Sequence, residues 1–242
     1  MNIHTIVLAA GEGSRMKSNR AKSLQRIGGT SMLEKICLTA GSISPKITLV
    51  VGFDKDSVIK ESKNYNLEIS TADQPKPIGT GDAVKCGITE VEDGSKVLVL
   101  YGDVPLIKKE TLEELISSSD EGLSILTTTL EDPHGYGRVK KDDLGNALAI
   151  VEEKDASTDE KNIKEIFTGV LCGQKELIDE GLAKLDNNNA AGEFYLTDLV
   201  SIISNKGFKI KTYNAPNDEV KGANSKAELA QLEGIYRKMK AE

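Results

Sequence analysis

Ile6-Val7-Leu8-Ala9-Ala10-Gly11-Glu12-Gly13-Ser14-Arg15-Met16, continued to Arg20-Ala21-Lys22-Ser23-Leu24, decides the reading of this chain. An apolar run of strand length stops at a Gly-x-Gly-Ser-Arg turn. The residues from Arg15 to Arg26 then carry Arg15, Lys17, Arg20, Lys22 and Arg26 with no acid among them. Small residues let the backbone approach a ligand closely, successive N–H groups make an anion-binding concavity, and flexible cations can close over the charge. The stretch reads either as a phosphate-gripping loop or as a tight strand-to-helix turn followed by a solvated basic face. Two common phosphate motifs fail here. Met16 stands where the dinucleotide fingerprint needs its third glycine, and where the P-loop needs the glycine before Lys-Ser/Thr.

Outward from this loop, strand and helix alternate. Ser31 with Glu34 three places on, and apolar residues at helical spacing, predict a capped helix ending near Gly41. Strands are expected at 47–51, 67–71, 97–106 and 123–129, with helices at 56–62, 81–88 and 109–118 between them. That alternation implies an α/β fold with a doubly wound, mostly parallel sheet and helices on its faces. Gln74-Pro75-Lys76-Pro77-Ile78-Gly79-Thr80-Gly81 is a loop stiffened by prolines and loosened by glycines, able to hold a polar ligand against backbone. The apolar strand read over 97–106 delivers Tyr101, Gly102 and Asp103 toward its C-terminal end. Ligands of open α/β sheets sit beyond those ends, so this segment and the Gly11 loop can share one crevice.

The pattern changes after about residue 130. Asp132 to Val139 is turn-rich, Leu144-Gly145-Asn146 is a turn and 147–151 a short strand, which predicts a small antiparallel hairpin excursion. Its glycines, Gly135 and Gly137, make it a candidate for closure over a substrate. Glu152 to Glu165 reads as a surface loop. A strand at 166–172, a helix to Lys184, a helix beginning near Tyr195, a strand at 208–213 and a helix at 225–240 complete the chain. The whole of 1–242 is read as one domain, with a nucleotide-binding core at about 1–130 and a lid with the C-terminal part at about 131–242.

Composition narrows the function. The 242 residues are 38% hydrophobic and only 4% aromatic, enough for one aliphatic core without staples. A formal charge of -7 argues against a nucleic-acid partner and makes the basic run near the N-terminus a local feature. Cys37, Cys86 and Cys172 are odd in number and far apart, the usage of reduced cytosolic thiols. Two histidines, His4 and His134, leave little for a histidine triad or a zinc site. The opening apolar run is too short for a signal peptide or membrane span, so a cytoplasmic protein with no membrane partner is expected.

The opening loop resembles the signature of the sugar-1-phosphate nucleotidyltransferases. Further matches follow in order at Leu100–Leu106, Pro133–Arg138, Ile150–Ala156 and Asn187–Asp198. Together they resemble the uridyltransferase (pyrophosphorylase) domain of bacterial bifunctional N-acetylglucosamine-1-phosphate uridyltransferases, from about residue 4 to 232. The resemblance implies the Rossmann-like nucleotide-diphospho-sugar transferase fold. It also implies UTP and a hexosamine-1-phosphate as substrates, Mg2+ as cofactor, and UDP-N-acetylglucosamine, a peptidoglycan precursor, as product. By it, Leu8, Ala9, Ala10, Gly11, Gly13, Ser14, Gln74, Gly79, Thr80 and Gly102 would hold the nucleotide. Arg15 and Lys22 would be catalytic, Asp103 and Asn224 would bind the metal, and Tyr101, Gly137, Glu152 and Phe167 would form the sugar side. By themselves Asn224 reads as a cap for the last helix and Gln74 as a polar surface-loop residue, whereas the place of Asp103 at a strand end beside Gly102 favours a metal role over a cap.

Three positions depart from the family pattern. Ala21 replaces a proline before Lys22, Lys221 replaces a glutamate near Asn224, and Phe167 stands where an asparagine contacts the sugar. Unpaired sugar hydroxyls would cost about 1 to 3 kcal/mol, which keeps a different sugar-1-phosphate open. A catalytically silent UDP-sugar-binding module is the reading from another class. No hexapeptide repeat is found, so acetyltransferase chemistry is not expected, and without that trimerising repeat a monomer or weak oligomer is.

Overall fold

The computed structural model describes residues 2–120 and 122–241. The first half runs β1 (Ile3–Leu8), the small hairpin β2 (Arg26–Ile27) and β3 (Thr30–Ser31), and then alternates helix and strand: α1 (Met32–Gly41), β4 (Lys46–Val51), α2 (Lys55–Ser62), β5 (Ile69–Asp73), α3 (Thr80–Ile88), β6 (Lys96–Tyr101), α4 (Lys109–Ser117) and β7 (Gly122–Thr129). The second half adds β8 (Arg138–Lys141), β9 (Ala147–Val151), β10 (Glu165–Gln174), α5 (Lys175–Leu182), α6 (Asp198–Asn205), β11 (Lys209–Asn214), α7 (Asn217–Val220) and α8 (Lys226–Ala241).

The main sheet runs β11-β7-β10-β6-β1-β4-β5. β1 pairs in parallel with β4 on one side and β6 on the other, and only β10 is antiparallel to its neighbours β6 and β7 within this path. The chain leaves β1 for β4 and β5, then crosses back to β6, so strand order reverses at β1. In such sheets this reversal opens a crevice beyond the strands' carboxyl ends. The expected hairpin forms as β8 and β9 and joins the sheet through Arg138 opposite Ile166.

Alternate residues of the central strands enter opposite cores. Ile6, Val50, Val97 and Val99 face one cluster with α3, α5 and α6, while Val7, Leu49, Val51, Leu98 and Leu100 face the other with α1 and α4. Both faces are covered, which is why these strands read as continuous apolar runs instead of alternating ones. A third cluster, with Met16, Ile27, Met32, Leu106, Ala223 and Leu232, seats α8 against the opening loop.

Local signals hold where chemistry enforces them. The Glu34 N–H donates to Ser31 Oγ at 3.1 Å, the cap that starts α1. Several boundaries move: the strand expected at 97–106 ends at Tyr101, the strand expected at 166–172 runs on to Gln174, and the helix expected to reach Lys184 ends at Leu182. The strand expected at 67–71 occupies 69–73, in register with β4, and the helix expected near Tyr195 starts at Asp198 after a turn in which Asp198 N–H donates to Tyr195 O. Neither the two-residue strands β2 and β3 nor the single turn α7 has a periodicity long enough to read. Among the described residues no helix is long and apolar enough to cross a membrane.

Candidate active site

Leu8 at the end of β1 lies in register with Tyr101 at the end of β6, and the Gly102 N–H donates to Leu8 O at 2.9 Å. The loop after Leu8 and the Gly102-Asp103 corner are therefore neighbours by strand pairing alone. A Cβ on Gly102 would sit 3.1 Å from Leu8 O, so the close approach suits glycine.

Beyond Gly11 the chain bends at Gly13, whose φ of +65° is a left-handed conformation, and makes one tight turn over Ser14–Met16. A side chain at Gly13 would come 2.7 Å from Lys22 Cβ, so the glycine lets the loop close onto Lys22. Met16 turns inward, 2% exposed, and anchors the turn in the cluster under α8. Arg15, beside it, points outward and has no ion-pair or hydrogen-bond partner among the described residues, whereas Arg20 is paired with Glu61 at 2.5 Å. Ala21 takes φ -49°, within reach of proline's own range, and donates its N–H to Asp54 Oδ2 at 2.9 Å. Proline has no N–H to give. Here a hydrogen bond does the restraining that a ring would do.

Lys22 then reaches into the crevice. Its Nζ lies 2.5 Å from Asp103 Oδ2 and donates to Asn224 Oδ1 at 2.9 Å, so an ammonium, a carboxylate and an amide oxygen converge from three distant segments. Asn224 is free to do this because Ser225 supplies the cap of α8. Ser225 Oγ accepts from the Glu228 N–H, and Glu228 Oε2 accepts from the Asn224 N–H. The segment reaches Asp103 through Ala223, whose N–H donates to Asp103 O at 3.3 Å, with Gly222 packed alongside. Lys221 turns away to Asp218 at 2.9 Å.

A cavity of about 240 Å³ opens beside this cluster. Of the residues expected to bind nucleotide, Leu8, Ala9, Ala10, Gly11, Gln74, Gly79 and Thr80 line it, together with Lys22, Tyr101 and Asp103. Gly13, Ser14 and Gly102 are not part of its lining, although Gly13 packs against Lys22 and Gly102 against Leu8 and Ser23. Gln74 is buried, and its Nε2 donates to Gly79 O at 3.0 Å and Asp82 Oδ2 at 2.8 Å. Both amide hydrogens are thus used, and the carbonyl oxygen is what Gln74 offers to a ligand. The loop is clamped further on: Gly81 N–H donates to Phe194 O and Phe194 N–H to Ile78 O. Gly79, at φ +127°, would drive a Cβ to 2.3 Å from Phe194 O. The lining also includes Ser23, Pro77, Ala83 and Glu193, which sequence patterns did not single out. Glu193 lies in the Asn187–Asp198 segment, the one signal that could have pointed to it.

The expected sugar-side residues lie on the neighbouring strand ends. Burial pushes the Tyr101 phenol well above its ordinary range, against a hydrogen bond from Thr80, and the ring rests on Gly169, where a Cβ would be 2.5 Å away. Gly137 packs against Ile150 and Glu152, the latter 3.6 Å from where its Cβ would be. Glu152 Oε1 accepts from Thr197 Oγ1 at 3.0 Å, while burial raises its carboxyl above 4.5. Phe167 is 6% exposed and belongs to the core cluster that also holds Val139, Ile150 and Leu196, and its backbone N–H donates to Gly137 O at 3.0 Å.

A divalent ion suits the Asp103–Asn224 pair. Both are hard oxygen donors that already share one cation, the Lys22 ammonium. Among the described residues no cluster of three or more His, Cys, Asp or Glu could hold a metal. An ion at Asp103 and Asn224 would therefore complete its shell with water and ligand oxygens, the habit of Mg2+ rather than Zn2+.

Comparison with known proteins agrees with this geometry. Residues 5–178 match the model of the MobA-like NTP transferase domain. The bifunctional protein GlmU of Alcanivorax borkumensis is 41% identical over 245 residues, covering 100% of this chain and 54% of that protein. The protein of the same name from Psychrobacter sp. is 42% identical over 231 residues, covering 95% and 50%. The chain thus spans about half the length of the curated relatives it matches. Among solved structures, a Bacillus anthracis protein described as a glucose-1-phosphate thymidylyltransferase, in complex with a sucrose, superposes with a TM-score of 0.77 over 97% of this chain and 95% of that one. At 18% identity that likeness concerns the fold.

Proposed function

Because the chain belongs to the MobA-like NTP transferase domain family, we propose that it is a Mg2+-dependent uridyltransferase joining UTP and N-acetylglucosamine-1-phosphate to give UDP-N-acetylglucosamine and pyrophosphate. The observation that carries the reading is the convergence of Lys22, Asp103 and Asn224 beside a cavity that Lys22 and Asp103 line together with Gln74. Charged groups and a base-reading amide, in one lining with the small residues Ala9, Ala10 and Gly11, suit a nucleotide lying along the strand ends. The likeness along the full chain to proteins named GlmU supports the same choice.

In this reading the Gln74 carbonyl oxygen accepts the N3–H of uracil. Cytosine offers an unprotonated nitrogen at that place, so the two bases are told apart by one hydrogen. Backbone groups from Leu8 to Gly11 hold the ribose and α-phosphate. Arg15, exposed and unpaired, is available to the β- and γ-phosphates. The acceptor's phosphate oxygen attacks the α-phosphorus; the new O–P bond forms as the bond to the bridging oxygen breaks, and pyrophosphate leaves with that electron pair. A phosphate monoester has its second pKa near ~6, so the nucleophile needs no protein base. Lys22 stabilises charge that grows on the transferring phosphate and the leaving oxygen. Asp103 and Asn224 would hold a Mg2+ whose contribution there is to neutralise phosphate oxygens and orient them. Such substrates are those of the cytoplasm, where we place the protein.

Purified protein with UTP and Mg2+, offered N-acetylglucosamine-1-phosphate, N-acetylgalactosamine-1-phosphate and glucose-1-phosphate in parallel, tests this through pyrophosphate release. Preference for the first is expected. One observation favours a second reading, a different sugar-1-phosphate: Phe167 is packed in the core, so no side-chain amide is offered at that position. Preference for another sugar would select that reading, and UDP-sugar binding with no release from any would leave a silent binding module.

A further inference from the structure

Arg138 is the largest fully buried polar side chain of the second half, 2% exposed at the base of the β8–β9 hairpin. Its guanidinium reaches two ways. Nη1 donates to Tyr136 O, and Nη2 lies 2.6 Å from Glu153 Oε2. That same carboxylate oxygen accepts the Gly135 N–H at 3.2 Å. A closed ring therefore ties 135–136 to the residue after Glu152, with Gly137 and Glu152 flanking it in sequence. Hydrogen bonds from Arg138 and from Gly135 hold the Glu153 carboxyl below its ordinary range.

Stability does not explain this arrangement. Burying a guanidinium against a single carboxylate costs as much desolvation as it returns, and apolar residues of similar volume commonly do as well. Arg138 Nε is moreover buried with no partner among the described residues, a further cost borne by the fold. Such a group is retained for what it holds in place. What it holds is the turn before Gly137, whose carbonyl accepts from Phe167 and whose α-carbon faces Glu152.

We propose that Arg138 and Glu153 are positioning residues for the acceptor half of the site, fixing the 135–137 turn against Glu152 so that the sugar-1-phosphate meets a preformed wall. This rests on the uridyltransferase reading above. Arg138 and Glu153 neither line the cavity around Gln74 nor contact Lys22, so they can reach the nucleotide half only through the 135–137 turn.

Steady-state kinetics of Glu153→Gln and Arg138→Lys, with thermal melting as the folding control, tests the inference. Glutamine cannot take both donors as a charged acceptor, and lysine lacks the fork that reaches Tyr136 and Glu153 together. The expected result in both variants is a KM for the sugar-1-phosphate raised on the order of three- to tenfold, the loss of one or two hydrogen bonds' worth of ordering, with the KM for UTP within about twofold of wild type. Should Arg138→Lys fail to fold, Glu153→Gln alone decides. Equal rises in both KM values, or no rise in either, would overturn the inference while wild-type turnover leaves the functional reading intact. A wild-type protein that releases no pyrophosphate with any sugar would overturn the functional reading and this inference with it.

Discussion

Lys22 Nζ lies 2.5 Å from Asp103 Oδ2, one cation from the loop after β1 meeting one anion from the corner after β6. Strand register puts them there, since Leu8 pairs with Tyr101. Lys22→Ala removes the charge but leaves the strands, so turnover is expected to fall on the order of a hundredfold or more while the fold survives. Pyrophosphate release and a melting curve on the same preparation check both halves; undiminished turnover would remove Lys22 from the catalytic set.

Gln74→Glu replaces two donors with an acceptor facing Asp82 Oδ2 and Gly79 O. The loop loses its clamp and the base its amide carbonyl. The affinity for UTP is expected to fall about tenfold, as two hydrogen bonds are lost and like charges meet. UTP titration monitored by calorimetry reads this directly, and unchanged affinity would take Gln74 out of base recognition.

Gly79→Ala meets backbone, not a yielding side chain: its Cβ would be 2.3 Å from Phe194 O at a φ of +127°. A loss of about 2–4 kcal/mol is expected in urea denaturation, the scale of strain at a disallowed φ combined with a clash.

Glu152 carries a pH signature. Burial raises its carboxyl above 4.5 in the folded protein, so between 4.5 and the raised value the folded state binds more protons than the unfolded one. Stability then falls as pH rises through that window and the deficit persists above it. Glu152→Gln, which keeps an oxygen for Thr197, is expected to melt higher than wild type at neutral pH, with the difference closing below pH 4.5. The same variant is expected to bind the sugar-1-phosphate more weakly, so stability and acceptor affinity move in opposite directions.

Much of the scaffold is written locally. Ile6 to Leu8, Leu49 to Val51 and Val97 to Leu100 are continuous apolar runs because both sheet faces are covered, and Ser31 with Glu34 marks the start of α1. Gly11, Gly13, Gln74, Gly79 and Asp103 could be suspected of ligand binding because a glycine turn, a proline-stiffened loop or a strand's carboxyl end is visible in a few consecutive residues.

Other features had no local sign. Asn224 reads as a cap until Ser225 is seen to cap α8 in its place, which releases the Asn224 amide to Lys22. Ala21 reads only as a missing proline before Lys22 until its N–H is found donating to Asp54. Phe167 reads as a pocket residue until it is seen packed among Val139, Ile150 and Leu196. By itself the sequence determined the order of the longer strands and helices, the glycine turn after β1 and the strand ends beyond which a ligand of such a sheet would lie. Only the tertiary structure decided which side chains meet there. Periodicity, capping and turn chemistry act between residues a few positions apart, whereas the Lys22–Asp103–Asn224 contact depends on strand order and on how α8 packs over Met16.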